Sequence, residues 1–148
     1  MPAIKIWVHC VWSTKNRLPI LTHPIRNLLF DHIRKNAGLK QIHIDRLNGH
    51  LDHVHCLLLL KSTQSIGEII KLIKGESAYW FNNRSGIKNS KLQWQSEYFA
   101  ISVSESMVPK LRMYIDGQEI HHEKKTFGEE YNEFIKYYDF SVDEQTRD

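Results

Sequence analysis

Leu47-Asn48-Gly49-His50-Leu51-Asp52-His53-Val54-His55-Cys56-Leu57-Leu58-Leu59-Leu60 is the stretch on which the fold turns. His53 to Leu60 is an apolar run bounded by Lys61-Ser62, and Gln41 to Leu47 alternates apolar and polar residues before it. Asn48-Gly49 between them is a strong turn signal, so the two runs predict a β-hairpin whose turn can extend through Asp52. Upstream, Ile4 to Trp12 is rich in β-branched and aromatic residues and predicts a strand covered on both faces. Pro24 to Ala37 carries Ile25, Leu28, Leu29, His32 and Ile33 at helical spacing, with Gly38 beyond its end. Downstream, Ser65 is placed to cap a helix with Glu68 three residues on, and Ile66, Ile69, Ile70, Ile73, Ser77 and Trp80 continue one face toward Asn82.

Residues 85–95 lack periodicity and predict a loop, and Tyr98 to Val103 predicts a strand. A helix starting at Ser104 or Ser106 then carries Val108, Leu111, Met113, Tyr114, Ile115 and Gln118. Thr126 to Tyr138 predicts a short amphipathic helix, and residues 141–148 form a polar tail. The order β-α-β-β-α-β-α predicts an α+β, ferredoxin-like (RRM-like) split βαβ fold, an antiparallel sheet with helices packed on one face. Residues 1–140 are expected to make one domain. That topology hosts many activities, so function has to come from the site.

Composition narrows the class. The chain has 148 residues, 41% hydrophobic and 25% charged, with 7 Gly and 4 Pro, which fits one packed domain and excludes disordered or fibrous classes. No apolar run approaches the ~18–20 residues of a membrane span and the N-terminus lacks a secretory pattern, so a cytosolic protein is expected. Cys10 and Cys56 stand singly in apolar stretches, as reduced buried thiols do. The net charge is +3, and Lys15, Arg17, Arg34, Lys35, Lys71, Lys74, Arg84, Lys88 and Lys91 all precede the acidic tail, which suggests a basic working face.

Two residue groups carry chemistry. In His53-Val54-His55 the strand period turns both imidazoles to one side, although structural histidines would give the same pattern. Tyr114 and Gln118 stand at i and i+4, one above the other on a helix, as a Tyr at any core edge can. His50, Asp52, His121 and His122 flank these groups, and His9 can face the histidine pair across the sheet. Trp94 and Tyr98 could stack on bases or simply close the core. Leu57 stands where a histidine-triad hydrolase needs a third alternating histidine, and a second His-x-Ser/Thr motif of two-histidine phosphoesterases is lacking.

Taken together, His9-Cys10-Val11-Trp12-Ser13-Thr14-Lys15-Asn16-Arg17, Asp52-His53-Val54-His55, Leu72-Ile73-Lys74-Gly75, Trp94-Gln95, Phe99 to Ser104, and Tyr114-Ile115-x-x-Gln118 with His121-His122 resemble one family along nearly the whole chain. It is that of the small HUH-type, IS200-like tyrosine transposases of bacterial insertion sequences, with their repetitive-palindrome-associated relatives. The resemblance implies a nuclease and strand transferase for single-stranded DNA near hairpins or palindromic ends, with Tyr114 as nucleophile forming a 5′-phosphotyrosine without ATP. It implies His53, His55 and Gln118 as ligands of Mg²⁺ or Mn²⁺, a mostly hard donor set suited to such ions. Lys15, Arg17, Lys74 and Trp94 become candidate DNA contacts, and a homodimer with active sites completed in trans is expected, located in the bacterial cytoplasm at the nucleoid. Gly117 departs from the Asn that relatives often carry, at a cost of about 1 kcal/mol inside a helix. Replication initiators have Tyr-x-x-Lys where this chain has Gly117, and relaxases place the tyrosine before the histidines. A catalytically inactive or domesticated hairpin-binding protein is the competing class.

Overall fold

The computed structural model describes residues 3–84, 91–122 and 125–138. The chain forms two compact units, Met1–Gln118 and Glu119–Asp148, where the sequence reading takes 1–140 together. The first contains β1 (Ile6–Ser13), α1 (His23–Leu39), β2 (His43–Gly49), β3 (His53–Leu60), α2 (Ile66–Asn82), β4 (Phe99–Val103) and α3 (Val108–Asp116); α4 (Gln118–His122) opens on its last residue. The second contains α5 (Phe127–Tyr138), whose start is capped by Thr126 Oγ1 accepting from the Glu129 N–H at 3.2 Å. Lys88, the side chains of His121 and His122, and the tail 141–148 lie outside the described residues.

The strands make one antiparallel sheet in the order β2-β3-β1-β4, the ferredoxin-like arrangement expected. β1 and β3 are central and buried in both pleat registers, so each has a layer on both sides. Val8, Cys10 and Trp12 of β1, with Val54, Cys56 and Leu58 of β3, join the main core with α1 and α2. Burial there pushes the Cys10 thiol up to about 12 and that of Cys56 well above its ordinary value, as reduced packing residues require. The expectation that all helices share one face is corrected for α3. Trp7 and Leu57 point away from the main core and pack with Val108 and Ile115 of α3 in a second cluster.

Polar ties fix α3 to β2. Arg112 grips Asp45 with two N–H groups, Nε to Oδ2 at 2.8 Å and Nη2 to Oδ1 at 2.9 Å. Asn48 Nδ2 donates to the Ile115 carbonyl at 2.9 Å and satisfies an otherwise open group at the helix C-terminus. The Asn48-Gly49 pair is therefore not the turn itself. It still belongs to β2, opposite His55 and Val54, and the reversal falls on residues 50–52. Glycine is needed at 49 because a Cβ there would stand 2.1 Å from the His53 carbonyl oxygen.

Gly49→Ala should cost about 1–3 kcal/mol, the usual range for overpacking, because backbone has to move; the midpoint of urea unfolding reads it. A second outcome concerns acid. The Arg112 hydrogen bond holds the Asp45 carboxyl below its ordinary value, so this tie adds stability above that ordinary value and loses it as pH falls through the lowered one. Melting temperatures of wild type and Asp45→Asn should thus differ near neutral pH, wild type higher, and converge in strong acid.

Candidate active site

His53 and His55 stand on the face of β3 that α3 covers. Their register partners on β1 are Ser13 and Val11, and His9 pairs with Leu57, which makes His9 a diagonal neighbour of His55 on the same face. All three imidazoles and the Gln118 amide are buried. Histidine is rarely buried without partners, and each ring here has one. Asp52 Oδ1 lies 2.9 Å from His53 Nδ1, and His9 Nε2 lies 2.9 Å from His55 Nδ1. The His9 and His55 rings stack with centroids 5.2 Å apart and an interplanar angle of 21°. His53 and His55 each offer a nitrogen within 4.8 Å of the other's.

The helical half of the site meets this strand half. The Tyr114 ring stands edge-on to His55, with centroids 5.6 Å apart and planes at 82°, and Gln118 Oε1 lies 3.1 Å from His53 Nε2. One unbroken helix was expected to carry Tyr114 and Gln118. Instead α3 stops at Asp116, Gly117 takes φ −93° and ψ 17°, and a new helix starts at Gln118. The Gly117 N–H still reaches the Met113 carbonyl at 3.1 Å, so the one-turn spacing survives the break.

The residues present fit a divalent metal ion. With the Nδ1 proton of His53 directed at Asp52, its Nε2 accepts, and the Gln118 amide 3.1 Å away meets it either turned over, with the amide nitrogen donating, or as placed, with both acceptors on a cation. As placed, Gln118 Nε2 is buried without a hydrogen-bond partner among the described residues. Two imidazole nitrogens and an amide oxygen are a donor set that such an ion accepts.

Three of the four residues read as DNA contacts meet elsewhere. Lys15, Lys74 and Trp94 line a groove of about 560 Å³ together with Lys91 and Gln93. Two of these side chains also hold the local fold. The Lys74 ammonium donates to the Gln95 carbonyl and, at 3.4 Å, to that of Ser96, and burial lowers its pKa. Trp94 donates from Nε1 to Ser77 Oγ at 3.0 Å and packs edge-to-face on Trp12. Arg17 is exposed on the turn after β1, where Asn16 and Arg17 have φ of 58° and 53°, left-handed values rare for two successive non-glycine residues. Tyr98 is 40% exposed, with the Lys74 ammonium 6.0 Å from its ring centre, and His50 is half-buried beside the hairpin turn. Among the described residues no helix is long and apolar enough to cross a membrane.

Comparison with known proteins agrees with this architecture. The ISDra2 transposase TnpA of Deinococcus radiodurans is 27% identical over 118 residues, 74% of this chain and 81% of that protein. A transposase crystal structure from the same organism superposes with a TM-score of 0.62 at 27% identity, over 79% of this chain and 93% of the other. A REP-associated tyrosine transposase bound to a REP hairpin shares the fold, with a TM-score of 0.61 at 18% identity, over 82% and 72%. The family model described as "Transposase IS200 like" matches residues 3–118, most of the chain and nearly all of the first unit, and the protein therefore belongs to the IS200-like transposase family.

Proposed function

We propose that this transposase cleaves and rejoins single-stranded DNA beside hairpin ends, with Tyr114 as nucleophile and His53, His55 and Gln118 as ligands of one Mg²⁺ or Mn²⁺. The observation that carries the reading is the meeting of two halves of one site, Tyr114 edge-on to His55 and Gln118 against His53, on the sheet face opposite the main core. When bound there, such an ion would act as Lewis acid and template on a scissile phosphate. The chain's own contributions follow from its geometry. The Asp52 carboxylate accepts from His53 Nδ1, fixes that ring and leaves Nε2 pointing inward. The Tyr114 oxygen attacks phosphorus, the bond to the 3′-oxygen breaks, and the products are a 5′-phosphotyrosine and a free 3′-hydroxyl. The phosphodiester energy stays in the tyrosyl ester, so the 3′-hydroxyl of another strand reverses the step without ATP.

Lys15, Arg17, Lys74, Lys91 and Trp94 mark the path of the strand in this reading, with Lys15 and Lys91 the exposed cations of the groove. We further propose a homodimer in which the tyrosine helix of one subunit exchanges onto the histidine pair of the other, in place of the meeting within one chain seen here, acting in the bacterial cytoplasm at the nucleoid. β2 and β4 are the sheet's edges, whose outer backbone groups a two-fold partner can satisfy.

Tyr114→Phe should fold and bind hairpin oligonucleotides while losing the denaturant-resistant protein–DNA adduct that wild type forms with Mn²⁺. His55→Ala should lose cleavage by more than about 100-fold, beyond the 10–100-fold that removal of an outer partner causes. Mixed, exchanged His55→Ala and Tyr114→Phe subunits should regain cleavage if sites are shared in trans, and stay inactive if each subunit uses its own tyrosine. Absence of any adduct with wild type across hairpin substrates would instead point to a hairpin-binding protein without catalysis.

A further inference from the structure

The buried strand histidine His9 has no place in the proposed chemistry, yet it stands on the histidine pair. It comes from β1, it is 1% exposed, and its neighbours across the sheet, Leu57 and Ile101, are apolar. A leucine or phenylalanine would fill that place without the cost of burying an imidazole. Its Nε2 lies 2.9 Å from His55 Nδ1, and the two rings stack nearly parallel.

The tautomers of this contact are mutually exclusive. If His9 Nε2 donates, neutral His55 carries its own proton on Nε2, and the nitrogen on the site side has no lone pair to give. If His55 donates from Nδ1, its Nε2 keeps a lone pair and His9 accepts, with the His9 proton on Nδ1. His53 reaches the same state by another route, since the Asp52 carboxylate can only accept from its Nδ1. We infer that His9 is a positioning residue that holds His55 in the Nδ1–H tautomer, so that both strand histidines present Nε2 to the site, one set by a carboxylate and the other by an imidazole. The inference rests on the reading of His53 and His55 as a metal pair and adds a residue to it.

The direct test is two-bond ¹H–¹⁵N correlation of the histidine side chains in the metal-free wild-type chain. His55 should show a protonated Nδ1 and an unprotonated Nε2, and His9 an unprotonated Nε2. A protonated His55 Nε2 with an unprotonated Nδ1 overturns the proposal. Mn²⁺ alone, titrated into wild type, His9→Leu and His9→Gln, supplies the second readout. His9→Leu should bind about 10–100-fold more weakly, the usual cost of losing an outer-shell partner. His9→Gln, whose amide oxygen can accept from His55 Nδ1, should recover most of that loss, whereas a purely space-filling role would favour the leucine. Equal Mn²⁺ affinity in wild type and His9→Leu rejects the role. If wild type binds no Mn²⁺, the metal reading fails by itself, and the tautomer measured without metal still decides the part played by His9.

Discussion

The register between the two central strands is the constraint on which the rest depends. Opposing Cys10 to Cys56 puts His9, His53 and His55 on one face and the cysteines, Trp12 and Val54 on the other. A slip of one residue between them would turn one strand over against the other, placing either His9 or the pair His53 and His55 in the apolar layer under α1 and α2. Burial of both strands on both faces makes such a slip costly in each direction. The same condition presses the buried imidazoles on the α3 face toward partners, His53 with Asp52 and His9 with His55. The ring-to-ring and ring-to-carboxylate contacts at the site follow from that demand.

That face divides along the strands into an anchoring end and a chemical end. Trp7, Leu57, Val108 and Ile115 pack at the first, and His9, His53, His55 and Gln118 gather at the second. α3 lies across both, so its apolar side secures the helix while Tyr114 and the following turn overhang the histidines. Arg112 on Asp45 and Asn48 on the helix's last carbonyls add direction to this hold. Asn48 sits opposite His55 in the β2–β3 register, so one strand residue links the end of the tyrosine helix to the position of a histidine. Gly117 ends the helix at the same point, and the Asn48 hydrogen bonds serve carbonyls that the break leaves open.

Much of this was legible in the chain. Alternation and turn signals give four strands and two long helices, and the Ser65 cap appears as read, its Oγ accepting from the Glu68 N–H at 3.3 Å. His-x-His and Tyr-x-x-x-Gln point to both halves of the proposed site because their periods match the elements that carry them. Two features stayed hidden for physical reasons. Asn48-Gly49 has the composition of a tight turn, but what selects it is tertiary: a side-chain amide that caps a helix 67 residues on and a backbone approach that excludes a Cβ. The side taken by α3 was also obscure, since β1 and β3 carry large apolar residues in both registers and local pattern does not say which helix covers which face.

His9 shows a further limit of motif reading and suggests how to pass it. A short motif names residues that touch one point from one element, whereas the groups that orient them come from neighbouring strands at a spacing fixed by register. Given that His53 and His55 face inward on β3, any polar residue of the same parity on β1 within one diagonal step becomes a candidate partner. Only His9 and Ser13 on β1 are polar and share the parity of Val11, the residue opposite His55. Of these, His9 is two residues from Val11 and has a side chain long enough to reach a ring nitrogen across the diagonal; Ser13 lies opposite His53, whose Nδ1 already has a carboxylate. The assignment of an outer partner thus becomes a register argument, available once strand pairing is known and independent of any motif.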